Sequence, residues 1–387
     1  MLMDQYFNRI ASVLVVMAIM VACNIYTFIP IYGNIASSLS IAQSEVVMAG
    51  SSFIFFYACG LLTFANSADR FGKKEILVWG MLASAVSTGL VGLAGDFWSL
   101  FFIRGIQGFC LGSFAPVAFA YTYDLFSGRK RTLLLAFINS GFLFAGLLGQ
   151  LLSEGITRYS NWTIVFFFFA VVYVSLFVMG KQTLPATSTR SVSVTHQIVT
   201  IYKLLLRKEL LYCYGIVFTL LASFVAYYDS LTRYLSGDSN LLFLLRAVGL
   251  IGVSLSLFTG RLLEAKGVYK TLFMGVTISI ASVLIAFIYV HKSEPFIIVL
   301  SSVLFVSAIS LLIPTVITLI GDMSGDDRSQ ALSLYSFILL GGTSIAPIVI
   351  MKLTYVQSLS LLLGCFLFHA WMSGLLYVER RRWRMRA

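Results

Sequence analysis

Residues 60–74, GLLTFANSADRFGKK, decide how the rest of this chain is interpreted. The charged segment DRFGKK, residues 69–74, separates two long apolar runs. Gly72 permits a tight turn between them, and the lysines Lys73 and Lys74 favour the cytoplasmic side of a membrane. The stretch is therefore typical of a short cytoplasmic hairpin that joins two transmembrane helices.

The composition excludes a soluble globular domain. Only 11% of the 387 residues are charged, 59% are hydrophobic, and the mean hydropathy is +0.92. The first run lacks a small-residue cleavage site and is interpreted as a spanning helix rather than a signal peptide. Runs of about 20 apolar residues suffice to cross about 30 Å of hydrocarbon. Twelve are predicted, at roughly 10–33, 45–66, 75–95, 97–123, 131–155, 162–180, 209–234, 239–262, 268–290, 295–321, 329–353 and 357–378.

The basic residues set the predicted orientation. Twelve spans place both termini on one side, and the arginine-rich tail RRRWRMR, residues 380–386, identifies that side as cytoplasmic. All but six of the 27 Lys and Arg residues then lie in cytoplasmic segments. Membrane topology therefore explains the net charge of +11, and nucleic-acid binding is excluded.

Neither a metal site nor a disulfide framework is predicted. The five cysteines lie inside apolar runs without paired spacing, and the three histidines are scattered. The sequence also lacks a recognisable glycine-rich nucleotide-binding loop or nucleophile constellation, so we do not expect an enzyme.

A long polar stretch, residues 181–208, divides the chain into two halves. Its first part is rich in Ser and Thr and is predicted to be flexible. Its second part spaces apolar residues among basic ones in a pattern that favours a helix on the inner leaflet. We predict an N-terminal six-helix bundle (1–180), a cytoplasmic linker with an amphipathic helix (181–208), and a C-terminal six-helix bundle with a basic tail (209–387).

The two halves repeat three features in the same order. The matched residues are Asp69 and Glu264 after the second and eighth spans, Asp124 and Asp322 ending the fourth and tenth, and Gly141 and Gly342 in the fifth and eleventh. Duplicated six-helix halves with a site between them describe a secondary transporter.

The loop at 69–74 resembles the signature loop of the major facilitator superfamily, with Ala65 where that family usually has glycine. The resemblance covers essentially the whole chain. It implies an all-α polytopic membrane protein with twelve transmembrane helices in two pseudo-symmetric six-helix bundles. It also implies a gate of ion pairs that differ between conformations. We assign to this gate Asp69, Arg70, Gly72, Lys73, Asp124, Arg129, Glu264, Asp322 and Arg328.

Two further motifs resemble the same family. Arg104 and Gln107 match its fourth-helix motif, whose arginine is associated with proton coupling; the alternative is an arginine held purely for packing. The fifth span resembles the motif typical of antiporters, without its proline. We expect its small residues to make a close helix contact: Gly141, Ala145, Gly146 and Gly149.

Other polar residues within spans are candidates for transport, because burying a charge requires a partner or a wet cavity. Asp229 and Arg246 are predicted at similar depth in the seventh and eighth spans. They are either a proton carrier and an anchor for a substrate carboxylate, or a static salt bridge. Asn24 and Tyr26 are the polar candidates in the first span.

The resemblance implies alternating access. The leading prediction is a proton-coupled exporter of small amphipathic molecules, either a drug or a secreted metabolite such as a siderophore. The alternative is a proton-coupled importer of a small organic solute. A non-transporting scaffold or sensor is disfavoured by the desolvation cost of Arg104.

The expected partners are a small-molecule substrate and the lipid bilayer, without nucleic acid, and the expected functional state is a monomer. We expect no cofactor, with a proton gradient as the energy source. The predicted location is the bacterial inner membrane, with both termini cytoplasmic.

Overall fold

Every regular element in the described part of the chain is a helix. The computed structural model describes residues 2–187, 203–292 and 294–386, without the side chains at 2–5, 65, 66, 69, 128, 129, 132, 256, 257, 326, 328, 329 and 380–386. The chain divides into two compact units, Met1–Ser193 and Val194–Ala387. The predicted all-α fold is confirmed, whereas most of the predicted linker, at 188–202, lies outside the described residues.

The described residues of the N-terminal unit form eight α-helices and one short 3-10 helix. In chain order they are α1 (Leu2–Tyr26), the 3-10 helix Ile29–Ile31, α2 (Tyr32–Leu39), α3 (Gln43–Phe71), α4 (Lys73–Val91), α5 (Phe97–Leu111), α6 (Phe114–Leu125), α7 (Gly128–Tyr159) and α8 (Trp162–Thr183). The first span runs from α1 through α2, and the fourth combines α5 with α6.

The C-terminal unit continues with seven long helices among its described residues. They are α9 (Lys208–Tyr234), α10 (Ser239–Val253), α11 (Ser256–Lys266), α12 (Val268–Lys292), α13 (Pro295–Ser324), α14 (Arg328–Ile350) and α15 (Tyr355–Arg386). Across the described chain, eleven segments are long and apolar enough to cross a membrane, and α10 with α11 makes a twelfth when the bent pair counts as one span. This result agrees with the twelve predicted spans.

Prolines interrupt the first and fourth spans where helix geometry requires it. Proline lacks an N–H group, and its ring clashes with the carbonyl four residues earlier. α1 ends at Tyr26, four residues before Pro30, and the gap between α5 and α6 begins at Gly112, four residues before Pro116. The first span extends to Leu39, beyond its predicted end at 33, because a helix resumes after the 3-10 segment.

The eighth span departs from the prediction of one continuous run over 239–262. At its break, two successive backbone N–H groups donate to the carbonyl three residues earlier instead of four, at 3.2 Å from Ser254 and 3.3 Å from Leu255. The Ser254 hydroxyl also donates to the Ile251 carbonyl at 2.6 Å. Such side-chain bonds compete with the helical backbone pattern, so the span divides into α10 and α11.

The same three helix pairs occur in both units, although the most extensive contact in the C-terminal unit is between α12 and α13. In the N-terminal unit α1 packs on α7, α3 on α5, and α4 on α8. In the C-terminal unit the corresponding pairs are α9 with α14, α10 with α13, and α12 with α15. The repeat that three short motifs indicate therefore extends to the packing of whole helices.

Candidate functional site

The N-terminal unit buries one arginine completely. Arg104 lies on α5, two turns after the helix begins at Phe97, and its side chain is shielded from solvent. Its Nη1 donates to Gln107 Oε1 at 2.5 Å, and its Nη2 donates to the Asn24 carbonyl at 3.1 Å. The i, i+3 spacing places Gln107 beside Arg104 on the helix surface, so the motif spacing itself creates the first contact.

A hydrogen-bond network extends from this contact across four helices. Gln107 Nε2 donates to Asn24 Oδ1 at 3.0 Å and to Thr88 Oγ1 at 2.8 Å. Asn24 Nδ2 donates to the Tyr173 hydroxyl, which donates in turn to the Met20 carbonyl at 2.8 Å. Asn24 on α1 thereby joins α4, α5 and α8, and satisfied networks of this kind fix the relative positions of their helices.

Aromatic rings close the environment of the guanidinium. Arg104 Cζ lies 4.1 Å from the ring centre of Phe53, 4.2 Å from that of Phe28 and 5.7 Å from that of Phe166. No described carboxylate forms an ion pair with Arg104, and its Nε has no hydrogen-bond partner among the described residues. Amide dipoles and cation–π contacts therefore offset the desolvation of this charge.

Tyr26, the other predicted polar candidate of the first span, is buried at the end of α1. Sequence reasoning did not select Thr88 or Tyr173, although both are polar residues in apolar runs. Their role depends on facing Gln107 and Asn24 across helix contacts, and only the tertiary structure supplies that information.

An ion pair lies at the opposite end of the same unit. Lys73 Nζ is 2.8 Å from Asp124 Oδ2, and joins the start of α4 to the end of α6. Gly72 between α3 and α4 has φ +94°, a conformation that other residues rarely adopt. Arg70 is exposed and lies over the Phe71 ring at 5.4 Å.

Among the remaining predicted gate residues, Glu264 and Asp322 have described side chains. The side chains of Asp69, Arg129 and Arg328 lie outside the described residues. Glu264 and Asp322 are exposed, and neither forms an ion pair with a described residue. Val268 begins α12 as Lys73 begins α4, so the C-terminal unit lacks the matching cation.

Arg131 makes contacts at the end of α6 that the sequence did not predict. Its Nε donates to the Phe126 carbonyl at 2.7 Å, its Nη2 donates to the Tyr123 carbonyl at 3.3 Å, and its Cζ lies 4.7 Å from the Tyr123 ring centre. A basic side chain that satisfies the last carbonyls of a helix stabilises its C-terminus. The signal was present in the sequence, because Arg131 follows closely after the end of α6.

The C-terminal unit buries a carboxylate. Asp229 on α9 is fully shielded, and Arg233 Nε donates to its Oδ2 at 3.2 Å. One predicted alternative paired Asp229 with Arg246, but in the structure Asp229 forms an ion pair with Arg233 within its own helix. Spacing of i, i+4 predicts such a pair. Arg246 on α10 donates to Thr232 Oγ1 at 2.8 Å, which places it at a similar depth to Asp229.

Small residues bring α7 onto α1. A Cβ atom at Gly141 would lie 3.1 Å from Ile19 Cγ1, and one at Gly149 would lie 2.8 Å from the Cα of Cys23. Ala145 and Gly146, which lie between these two glycines in the sequence, are also buried. In the C-terminal unit the matching contact is made by Gly342, whose position leaves no room for a Cβ against the Phe218 carbonyl.

A second glycine contact, between α3 and α5, was not predicted. Gly108 on α5 and Gly112 directly after it face the backbone of α3, and a Cβ at Gly112 would lie 2.6 Å from the Tyr57 carbonyl oxygen. The GxxxG spacing of these two glycines is a known signal for close helix packing. This contact sets α5, and with it Arg104, against α3.

The chain is similar to a protein family and to several known proteins. Residues 14–347 match the sequence profile of the Major Facilitator Superfamily. The chain is 27% identical to Multidrug resistance protein 3 of Bacillus subtilis (strain 168) over 135 residues, which are 35% of this chain and 26% of that protein. It is 25% identical to an uncharacterized transporter of Buchnera aphidicola subsp. Schizaphis graminum over 318 residues, 80% of this chain and 74% of that protein.

A solved structure shares the fold. The chain matches the crystal structure of a bacterial homolog to the human lysosomal transporter Spinster, in an inward-facing and unoccupied conformation, with a TM-score of 0.68. The two chains are 14% identical, and the match covers 97% of each. At this identity the likeness concerns the arrangement of helices alone.

Proposed function

Because this chain belongs to the major facilitator superfamily, we propose that it is a proton-coupled transporter that exports small amphipathic molecules by alternating access. A drug or a secreted metabolite such as a siderophore is the proposed kind of substrate. The superfamily profile and the apolar helices make the chain a multi-pass integral membrane transporter.

The observation that carries the coupling proposal is the burial of Asp229. A fully shielded carboxylate in an apolar helix is costly and has a functional role more often than not. Its pair with Arg233 stabilises the ionised form, whereas a bound proton would release Arg233. Asp229 therefore has two states that differ in the contacts of Arg233, which is the property that a coupling residue needs.

Arg104 supplies a second charged centre in the N-terminal unit. Without a carboxylate among its described partners, it is held by Gln107, the Asn24 carbonyl and aromatic rings. A cation that is not neutralised by a carboxylate interacts strongly with any negative charge that reaches the same low-dielectric region. We propose that Arg104 and its network respond to the protonation or substrate state of the transporter.

The motif in α7 gives export only weak support, because the segment keeps Gly141 and Gly149 in close contact with α1 but lacks the proline of the antiporter motif. One relative is named a multidrug resistance protein.

The proposed location is the bacterial inner membrane with both termini cytoplasmic, because the basic residues concentrate on one side. The proposed functional unit is a monomer that uses the proton gradient without a cofactor.

The alternative is import of a small organic solute with protons. Arg233 and Arg246 lie near Asp229 in the C-terminal unit, and two cations near one carboxylate favour an anionic solute.

The test uses purified protein in liposomes that contain a pH-sensitive dye, without an initial pH gradient. Addition of drugs, siderophores and small organic acids outside is expected to alkalinise the lumen when one solute enters, because antiport expels protons. Acidification on solute entry would instead establish symport and import. Solute flux without proton movement would contradict proton coupling.

Asp229→Asn is the informative variant, because it removes the proton site with little change in shape. It is expected to abolish proton movement. Asp238→Asn is the matched control, since Asp238 is an exposed helix cap and asparagine caps helices equally well.

A further inference from the structure

Tyr173 is the contribution of α8 to the buried network around Arg104. It is fully buried, although many residues of that helix are exposed. Its ring stacks on that of Phe169, with ring centres 6.2 Å apart. Its hydroxyl reaches α1, where it contacts the Asn24 side chain and the Met20 carbonyl. The ring and the hydroxyl of Tyr173 therefore have separate contacts, which a substitution by phenylalanine can tell apart.

The direction of each hydrogen bond in the network is fixed from the Arg104 end. A guanidinium has only donors, so Gln107 must present its carbonyl oxygen Oε1 to Arg104. The Gln107 amide nitrogen is then directed at Asn24 Oδ1, 3.0 Å away, and at Thr88 Oγ1. Asn24 consequently presents its own amide nitrogen to the Tyr173 hydroxyl.

The same directions follow from the Met20 end. A backbone carbonyl only accepts, so the Tyr173 hydroxyl donates its single proton to Met20, at 2.8 Å. The Tyr173 oxygen then accepts from Asn24, which must present Nδ2. Reversal of the Asn24 amide would place acceptor against acceptor at Tyr173 and donor against donor at Gln107. Arg104 and Tyr173 therefore require the same orientation of the two amides between them.

Loss of the Tyr173 hydroxyl would remove one of these two constraints. Asn24 Nδ2 would be buried without an acceptor, which is costly, and its side chain would gain by turning toward another acceptor. That rotation withdraws Oδ1 from Gln107, which keeps only Thr88 and Arg104 as partners. The bond from Gln107 to Arg104 Nη1 then becomes less fixed, whereas Nη2 keeps the main-chain carbonyl of Asn24.

We propose that Tyr173 is a positioning residue for Arg104, and that its hydroxyl acts on the guanidinium through Asn24 and Gln107. The inference rests on the proposed function in taking Arg104 as a group that responds to the state of the transporter. A hydroxyl that only tied α8 to α1 would contribute to stability without changing the order of Arg104 in the folded protein.

The test observes Arg104 directly by NMR of the detergent-solubilised full chain, labelled with ¹⁵N at arginine. The Arg104 signals are identified by their absence in Arg104→Lys or, should that variant unfold, in Arg104→Met. In the wild type, separate Nη1 and Nη2 signals are expected, because hydrogen bonds to two different acceptors slow the rotation of the guanidinium. In Tyr173→Phe, which keeps the ring, this rotation is expected to become severalfold faster.

Tyr121→Phe is the matched control. Tyr121 is buried in the same unit, and its hydroxyl also donates to a backbone carbonyl, that of Pro185, at 2.7 Å. It lies near the end of α6, at the other end of the fourth span from Arg104. The Arg104 signals are expected to be unchanged in this variant. Unchanged signals in Tyr173→Phe, or equally fast rotation in both variants, would overturn the proposal.

Asn24→Ala tests the route through the network. It removes the Asn24 side chain but keeps the main-chain carbonyl that accepts from Arg104 Nη2. It is expected to speed the rotation as Tyr173→Phe does, and the double variant is expected to be no faster than Asn24→Ala alone. Additive effects would show that Tyr173 acts by another route and would contradict the proposal. If Tyr173→Phe unfolds, unchanged Arg104 signals in Asn24→Ala still overturn it.

Transport in liposomes separates this inference from the proposed function, with the same drugs, siderophores and organic acids as solutes. Faster rotation of Arg104 in Tyr173→Phe with unchanged proton-coupled flux would support the positioning role and contradict a coupling role for Arg104. Unchanged Arg104 signals with reduced flux would contradict the positioning role and leave the proposed function intact.

Discussion

Lys73 Nζ lies 2.8 Å from Asp124 Oδ2, and this contact ties the first residue of α4 to the last turn of α6. The two side chains differ in exposure, at 10% for Lys73 and 37% for Asp124. Partial exposure screens the attraction, so the pair is worth no more than about 1 kcal/mol in stability. We therefore propose a conformational role for it, because a weak pair can bias two states without dominating either.

Removal of this pair is expected to alter transport more than stability. Asp124→Asn should lower the transport rate at least severalfold, while the free energy of unfolding falls by less than about 1 kcal/mol. Lys73→Gln should act similarly, and the double variant should be no worse than either single variant. Transport in liposomes and denaturant unfolding check this prediction.

Lys270→Gln is the control for the gate, because Lys270 is an exposed lysine near the start of α12. Additive losses of transport in the double variant would show that Lys73 and Asp124 act independently.

The Arg104 network predicts a large cost for losing Gln107. Gln107→Leu keeps the side-chain size but removes bonds to Arg104, Asn24 and Thr88. Leaving these buried groups unpaired is expected to cost about 1–3 kcal/mol. Thermal unfolding of the purified protein measures the loss.

Arg104→Lys separates coupling from packing. Lysine keeps the charge but not the planar fork that reaches Gln107 and the Asn24 carbonyl. A loss of at least about tenfold in transport with a nearly unchanged unfolding midpoint supports coupling. Normal transport together with poor stability would show that Arg104 is structural.

Neighbouring glycines in α14 provide a matched pair. A Cβ at Gly342 would collide with the Phe218 carbonyl on α9, whereas Gly341 has nothing within 4 Å of the same position. Gly342→Ala is expected to destabilise the protein by about 1–3 kcal/mol through overpacking. Gly341→Ala should be neutral or stabilising, because alanine favours a helix over glycine. Equal changes in stability for the two variants would mean that α9 and α14 can move apart at little cost in free energy.

Asp96 gives a prediction of pH dependence. Its carboxylate accepts the Ser99 N–H at 3.0 Å at the start of α5, and this bond, together with the Ser99 hydroxyl, lowers the pKa of Asp96. Because the folded state favours the ionised form, the stabilisation is present above the ordinary value of about 4. It is lost as the pH falls through the lowered pKa of the folded state.

The unfolding midpoint of Asp96→Ala is therefore expected to lie below that of the wild type at neutral pH. This difference should shrink as the pH falls below about 4. Asp96→Asn, which keeps a capping oxygen, should stay close to the wild type at neutral pH. A difference between wild type and Asp96→Ala that persists unchanged in acid would contradict a role for the charge.

Hydropathy and duplication in the sequence determined the fold class and the number of spans. Apolar runs must match the bilayer thickness, so their lengths alone indicate helices that cross it. The departures arise from local chemistry. Pro30 interrupts the first span, which resumes as a helix up to Leu39, and Ser254 marks the break in the eighth span. Pro116 was an available signal for the break in the fourth span, since the blocked carbonyl lies four residues earlier.

Contacts within one helix were also determined by spacing. Asp229 and Arg233 are four residues apart, and Arg104 and Gln107 three apart, so helix geometry alone makes each pair adjacent.

Contacts between helices were decided only by the tertiary structure. The rotation of each helix about its axis and its distance from its neighbours decide these contacts. They determine that Asn24 accepts hydrogen bonds from Arg104 and Gln107, and that Lys73 reaches Asp124. Those quantities result from many small packing contacts summed over whole helices. No short sequence pattern records them, which is why the sequence identified these residues but not their partners.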